Sequence, residues 1–252
     1  MSKELFEKYS KTPIKIRRHL AMGAYKATQA YKVSDNNTWY KEMINTQKKY
    51  MEQRSKNEPS EKEKALIPKA GLKAVKRSVV ELKRRLKYVF AEEPSVSSLY
   101  RIQWWLVLKL MVETPMRNDW PTLRVSGTTG NRLEKAKSGY RIIMTEYKNS
   151  NRLGPREIKV SRAGGMAIKK FLTMRKQVDI EHNFLMSNRQ GHPLSKGGFS
   201  KALQKTTSVL LGKRIGSRII RILFASFNQK LIKDAARVTD SLLHTAKQTA
   251  QY

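Results

Sequence analysis

The chain has 252 residues, enough for one large domain or two small ones with a hydrophobic core. It contains 52 lysines and arginines against 20 aspartates and glutamates, a formal net charge of +32, and no cysteine. Without thiols, disulfides and thiolate metal sites are excluded. So large a positive charge repels itself in a compact state unless a polyanion neutralises it, and the composition therefore favours nucleic acid as the partner.

The sequence also restricts the kind of site and the compartment. The four histidines lack the H-x-x-x-H and H-E-x-x-H spacings of zinc ligands, so we expect neither a metal nor another cofactor. The first residues have no apolar signal segment, and the longest apolar block, Trp104 to Leu108, is much shorter than the roughly 18 residues of a membrane span. We therefore expect an intracellular protein outside the membrane, located with its nucleic acid.

Residues 1–57 are polar and basic, with aromatic residues at spacings typical of short amphipathic helices. One such set is Trp39, Met43, Gln47 and Tyr50. The segment Asn57-Glu58-Pro59-Ser60 predicts a boundary, because proline restricts the residue before it. Ser60, with Glu63 three residues later, predicts a capping box at the start of the next helix.

Beyond this boundary, hydrophobic periodicity predicts six helices. They span residues 72–90, 96–113, 164–177, 197–211, 216–229 and 230–243. Three segments between the second and third helix alternate in polarity or carry β-branched residues, with glycines around them. These segments, residues 123–125, 140–147 and 157–161, predict a small antiparallel sheet of about three strands. The fold class is therefore mainly α, within the α+β type.

Candidate functional residues occur in this second part in a definite order. In chain order they are Arg117 after a buried helix, Lys148 in a predicted β-hairpin, Arg218 and Arg221 at a helix start, His244 after Leu242-Leu243, and Tyr252 eight residues beyond that histidine. No single motif among them is specific. The ordered set, with its helix and strand context, resembles the catalytic domain of tyrosine site-specific recombinases. It is most similar to the compact integrases of large DNA viruses and related mobile elements, over roughly residues 60–252.

The resemblance implies that the protein breaks and rejoins DNA strands without a cofactor or metal ion. Tyr252 would attack the phosphodiester and form a covalent 3′-phosphotyrosine. Arg117 and Arg221 would bind the charge of the transition state with planar, bidentate donors. Lys148 would protonate the leaving 5′-oxygen as a general acid. His244 would donate to the phosphate or help to deprotonate the tyrosine.

The sequence departs from the family pattern at three places. Arg218 stands where most members have histidine, so a fixed cation replaces an acid–base group. Leu243 replaces the usual glycine before His244, and Asp119 lies two residues after Arg117 where many members have a glutamate three after it. These departures bear on catalytic turnover more than on the fold.

Taken alone, each candidate residue has an ordinary explanation. Arg117 would interact with a helix dipole, and Lys148 would be a solvated lysine. Arg218 and Arg221 would contact phosphate passively. His244 would be satisfied at a helix end, and Tyr252 would lie at a chain end. The ordered set favours the recombinase over its main alternative, a non-enzymatic DNA-packaging or architectural protein, including a recombinase descendant without turnover. An RNA-binding protein is less favoured, because RNP-like and GXXG motifs are missing.

We therefore expect residues 1–60 to form a basic helical arm or small domain that binds DNA, and residues 61–252 to form the catalytic domain. The arm would close around the duplex and contact mainly phosphates. Its aromatic residues fit helix packing better than DNA contact. The partner would be double-stranded DNA, bound by a dimer or tetramer of the protein.

Overall fold

A computed structural model describes residues 8–32, 36–55, 59–137 and 139–228. The described residues are mostly helical and include one three-stranded antiparallel sheet, which confirms the predicted α+β class. Contacts within the chain divide it into two compact units, the first ending at Pro59 and the second beginning at Ser60. Within the described ranges, none of the helices has the length and apolar character needed to cross a membrane.

The first unit is built around helix α1 (Ile14–Ala30) and helix α2 (Asn36–Ser55). They run antiparallel, because Tyr25 packs on Tyr40 at 5.3 Å between ring centroids while Arg18 donates to Gln47 at 3.3 Å.

Aromatic side chains of the first unit serve its own packing. Tyr9 packs edge-on against Trp39 and donates to Glu42 at 2.9 Å, and its burial together with this hydrogen bond raises the pKa of its phenol. The guanidinium of Arg18 lies 4.4 Å from the ring centroid of Tyr50. By contrast, Tyr31 is 82% exposed.

The second unit opens with the short helix α3 (Glu61–Leu66). The Ser60 hydroxyl accepts the backbone N–H of Glu63 at 3.3 Å, and the Glu63 carboxylate accepts the backbone N–H of Ser60 at 3.1 Å. The predicted capping box is confirmed. It satisfies two donors that the first helical turn leaves without intrahelical partners.

Helix α4 (Gly71–Arg85) buries one apolar face, and helix α5 (Val96–Met111) is buried on almost every side. Leu106 and Leu108 of α5 have no solvent exposure. A helix that is apolar all round must lie inside a domain, and α5 is the centre of the main core.

Three short strands form the sheet in the order β1 (Arg132–Ala136), β2 (Gly139–Met144) and β3 (Arg156–Lys159). Their inner face aligns a row of buried apolar residues, and their outer face carries ion pairs. The buried row is Leu133, Ile142 and Ile158. On the outer face the guanidinium of Arg141 binds Glu134 at 2.7 Å and Glu157 at 3.0 Å.

The first strand does not lie where the sequence predicts it. Residues 123–125 form only isolated bridges, in which Arg124 pairs with Arg132 and with Phe184. Leu123 is fully buried, so the apolar character of this segment reflects core packing and not a strand of the sheet. The strand β1 follows a few residues later.

The remaining described helices are α6 (Ser150–Leu153), α7 (Arg162–Arg175), α8 (Lys196–Leu211) and α9 (Ser217–Phe227). Helix α7 crosses α5 closely at Gly164, where an added Cβ would lie 2.8 Å from Val160 and 3.0 Å from Leu110. The predicted helix over residues 230–243 lies outside the described residues.

Candidate active site

Arg117 lies in the loop that follows α5 and is partly exposed. This loop is attached to the first residue of α9, because the Ser217 hydroxyl donates to Asn118 Oδ1 at 2.6 Å. The hydrogen bond joins residues 99 positions apart in the chain. It therefore holds the segment of Arg117 against the start of the helix that carries Arg218 and Arg221.

The two arginines of α9 differ in exposure. They are three residues apart, so they project from neighbouring positions one helical turn apart. Arg221 is only 6% exposed, whereas the side chain of Arg218 is 61% exposed. Both lie near the helix N-terminus, where the aligned peptide dipoles favour anions. Together they place two guanidinium groups in the first turns of α9.

Arg218 is engaged by a carboxylate. Its guanidinium forms a charge-assisted hydrogen bond with Glu63 of α3. This bond, with additional bonds from Ser60, lowers the pKa of the Glu63 carboxyl. Lys213 makes a second attachment to α3 by donating to the carbonyl oxygens of Ala65 and Ile67 at 2.7 and 2.9 Å. Arg218 and Lys213 thus both anchor α3 to the segment that begins α9.

Lys148 is exposed in the connection between β2 and β3. The connection is longer than a tight hairpin and contains the single-turn helix α6. The preceding residue, Tyr147, is 8% exposed, and its hydroxyl donates to the carbonyl oxygen of Gly154 at 2.7 Å. The loop therefore has one side chain anchored in the core immediately before the lysine.

Asn131 is a buried polar residue that sequence reasoning missed. Its Oδ1 accepts the N–H groups of Thr145 and Glu146 at 2.9 and 2.8 Å, and its Nδ2 donates to the carbonyl oxygen of Glu146 at 2.7 Å. The same Nδ2 donates to the hydroxyl of Thr122 at 2.7 Å. The only sequence signal is an asparagine beside Gly130, which is typical of any turn.

The carboxylate of Asp119 is not among the hydrogen-bond partners of Asn131. Asp119 is 5% exposed, and its carboxylate binds Lys196, the first residue of α8, at 2.9 Å. Its backbone carbonyl oxygen accepts the hydroxyl of Thr122 at 2.7 Å. Asp119 therefore fixes the start of α8 to the loop of Arg117.

A histidine and a serine elsewhere in the second unit do not form a nucleophilic pair. His182 Nε2 lies 3.2 Å from the Ser187 hydroxyl, while its Nδ1 accepts the backbone N–H of Phe184 at 3.1 Å. In the neutral ring the proton is then on Nε2, which donates to the serine and is unable to accept its proton. Burial, and then the positive charge of Arg175, lower the pKa of His182, which favours this neutral form.

Four of the six predicted site residues fall within the described ranges: Arg117, Lys148, Arg218 and Arg221. His244 and Tyr252 lie outside the described residues. Among the residues that the structure describes, there is no group of three histidine or acidic side chains that could hold a metal ion.

Comparison with known proteins gives matches only at the level of structure. No protein-family model and no curated protein matches the chain. The XerA recombinase structure matches over 100% of this chain and 87% of its own, with a TM-score of 0.50 and 14% sequence identity.

Two structures of the XerH site-specific recombinase also match. They are a pre-cleavage complex with difH substrate and a post-cleavage complex with palindromic difH substrate, with TM-scores of 0.48 and 0.47 and 21% identity. Each match covers 68% of this chain, which spans about half of the XerH chains, 47% and 46%. At these identities the likeness concerns the fold alone, and XerA gives the better superposition.

Proposed function

Because the chain has the fold of tyrosine recombinases, we propose that it binds double-stranded DNA and breaks and rejoins a strand through a covalent 3′-phosphotyrosine. The observation that carries this proposal is the hydrogen bond between Ser217 and Asn118. It attaches the loop of Arg117 to the helix start that bears the nearly buried Arg221, so the segments of two arginines are joined.

A pair of arginines suits the chemistry of phosphoryl transfer. The transition state gathers negative charge on the non-bridging oxygens, and each guanidinium offers planar donors that match two oxygens at once. Arg117 and Arg221 would bind these oxygens. Lys148 would donate a proton to the 5′-oxygen as the bond to phosphorus breaks, so that the leaving group is a hydroxyl and not an alkoxide.

We assign the nucleophile from the order of the candidate residues along the sequence. Tyr252 would be the attacking residue, and His244 would contact the phosphate beside it. Tyr147 is a poorer nucleophile, since it is buried and its hydroxyl already donates to Gly154. In the first step the tyrosine oxygen forms a bond to phosphorus and the 5′-oxygen leaves. In rejoining, a 5′-hydroxyl attacks the phosphotyrosine and the tyrosine leaves.

The charge of the chain supports DNA as the partner under this proposal. Each phosphate contacted by lysine or arginine releases counterions, and the excess of 32 positive charges supplies many such contacts. The two XerH structures are complexes with difH substrate. We extend DNA binding to this chain, with residues 1–60 as a basic arm, residues 61–252 as the catalytic domain, a dimer or tetramer as the active form, and a location with DNA inside the cell.

Covalent capture tests this proposal and selects the target in the same experiment. The protein is incubated with a library of duplexes that carry a randomised core and a nick. A cleaved strand then loses the short fragment between the scissile bond and the nick, together with its new 5′-hydroxyl, and rejoining fails. Denaturing extraction and sequencing should then recover DNA linked to protein, and protease should release it. Duplex binding without any adduct would show a DNA-binding protein without turnover, which is the architectural alternative.

A further inference from the structure

Asn131 is 1% exposed, and its side-chain amide uses all of its hydrogen-bonding capacity. The carbonyl oxygen accepts twice and the amide nitrogen donates twice, which is the maximum for asparagine. Its orientation is fixed by its partners, because backbone N–H groups require the oxygen and the Glu146 carbonyl requires the nitrogen. An amide with all its hydrogen bonds formed and only one possible orientation forms a rigid connection between the segments that it binds.

One side of this connector leads to the loop of Arg117. Asn131 donates to the Thr122 hydroxyl, and that hydroxyl donates in turn to the backbone carbonyl of Asp119, each at 2.7 Å. Asp119 is two residues from Arg117. The intervening residue, Asn118, is the one that Ser217 of α9 binds.

The other side leads to Lys148. Asn131 holds three main-chain groups of two consecutive residues, the N–H of Thr145 and both the N–H and C=O of Glu146. Lys148 is two residues further along, beyond the buried Tyr147. The exposed lysine therefore extends from a loop that begins at main-chain groups held by the Asn131 side chain.

We propose that Asn131 is a positioning residue that holds the Lys148 loop in place relative to the loop of Arg117. This inference rests on the proposed function, because it takes Lys148 as the general acid. Asn131 touches neither reacting atom. Its effect passes through the lysine, whose ammonium must reach the leaving oxygen while the arginines bind the same phosphate. Misplacement of a catalytic group by about 1 Å is enough to slow a reaction by about 100-fold.

The test compares two leaving groups in single-turnover cleavage of a nicked substrate. One has the normal 5′-bridging oxygen and the other has a 5′-bridging phosphorothiolate, whose sulfur leaves without a proton. Lys148→Ala should be slow on the oxygen substrate and rescued by sulfur. We expect Asn131→Ala to follow the same pattern, with cleavage roughly 100-fold slower on oxygen and close to the wild-type rate on sulfur.

A matched control exists in the same unit. Gln103 is also 1% exposed, and its amide bridges to Ser187 by donating to its carbonyl at 2.8 Å and accepting its N–H at 3.0 Å. Gln103→Ala removes a buried amide of the same kind but touches neither loop. Any loss of cleavage in this variant should be equal on the two substrates.

Two further variants test whether Asn131 acts through Lys148. The double variant Asn131→Ala/Lys148→Ala should cleave the oxygen substrate no more slowly than Lys148→Ala, because both changes disable one proton transfer. Thr122→Val removes one of the four hydrogen bonds of Asn131 and also the bond from the Thr122 hydroxyl to the Asp119 carbonyl. It leaves the bonds of Asn131 to Thr145 and Glu146, so it should give the oxygen-selective loss at smaller size. This variant replaces Asn131→Ala if circular dichroism shows that the latter does not fold.

An equal loss on oxygen and sulfur, or no loss on either, would show that Asn131 acts only on stability, and the inference would be wrong. Failure of the proposed function looks different. In that case the wild-type protein forms no adduct with either substrate, and the positioning role falls with it.

Discussion

Glu63 and Arg218, 155 residues apart in the chain, form an ion pair that joins α3 to the start of α9. Glu63 is 20% exposed at its side chain and Arg218 is 61% exposed, so water screens the pair and its contribution to folding is small. The pair places a carboxylate beside a cation at the start of α9. Under the proposed function, incoming DNA would compete with Glu63 for Arg218.

Replacing Glu63 with glutamine should strengthen DNA binding, because it removes the negative charge that lies beside Arg218. Glutamine also completes capping boxes, so α3 should keep its start. The slope of log affinity against log salt should steepen by up to about 0.9, the value for one added phosphate contact. Binding of a fixed duplex across a salt series measures this slope.

Glu61→Gln is the matched control, since it removes the same charge from the same helix. Glu61 forms an exposed ion pair with Lys64 of its own helix, whereas Glu63 pairs with Arg218 of α9. Equal changes for the two variants would attribute the effect to net charge and not to Arg218.

The same pair should make stability depend on pH at the acidic end. Arg218 lowers the pKa of the Glu63 carboxyl from its ordinary value of 4.5. A carboxyl with a lowered folded-state pKa stabilises the protein above that ordinary value, and the contribution disappears as pH falls through the lowered pKa. The melting temperature of wild type should exceed that of Glu63→Gln near neutral pH and approach it below pH 4 or so. A gap that stays constant down to pH 3 or so would contradict this explanation.

Arg117 and Arg221 should matter more for cleavage than for binding. Arg117→Ala should reduce the cleavage rate roughly 100- to 1000-fold while DNA affinity changes little, because its donors act on transition-state charge. Arg221 is nearly buried, so Arg221→Lys is the better variant: it keeps the charge and the stem but loses the planar donors. Single-turnover cleavage and equilibrium binding should be measured on one duplex. Parallel losses in both would identify ordinary phosphate anchors.

Tyr252→Phe should bind DNA like wild type and form no covalent adduct, because only the attacking oxygen is lost. Denaturing gels of the nicked-substrate reaction report the adduct, and filter binding reports the affinity. If the phenylalanine variant still becomes linked to DNA, the nucleophile is another residue, and mass spectrometry of the DNA-linked peptide would identify it.

Deletion of residues 1–57 should weaken DNA binding while the remaining chain still cleaves. The deleted part is rich in lysine and arginine, and the boundary of the second unit, with the Ser60 cap, stays intact. The magnitude of the salt slope should fall by several units, at about 0.9 for each lost phosphate contact. An unchanged slope would mean that this part contacts another protein or a second copy of the chain.

The helices of the second unit could be predicted from the sequence because their buried faces repeat locally. In α4 the buried residues Leu72, Val75 and Val79 recur at spacings of three and four, which is the helical period. The end of α4 was less predictable. The helix ends at Arg85, but Leu86 and Val89, in the turns that follow, are also buried in the core. The apolar pattern therefore extends beyond the end of the helix.

Strand β1 was missed for a physical reason. Only Leu133 of its five residues is buried, so the segment lacks the apolar alternation of a strand. Its pairing is supported by Glu134, which binds Arg141 across the sheet, and such a contact is not local in sequence.

The hydrogen bonds of Asn131 could not be predicted either. Three of the four join backbone groups of residues 14 and 15 positions away, and a backbone group can belong to any residue type, so the sequence carries no sign of the contact. The order of Arg117, Lys148, Arg218 and Arg221 could be read from the sequence, whereas the hydrogen bonds between their loops could not.

The close crossing at Gly164 bears on how related sequences can diverge. A side chain at this position meets Val160 and Leu110 at once, so enlarging it requires one of those neighbours to shrink or α7 to move away from α5. Substitutions at positions 110, 160 and 164 should therefore be tolerated in compensating combinations and rejected singly. Homologues that share this crossing should show correlated side-chain volumes at the three positions, a signature that needs only sequences to be detected.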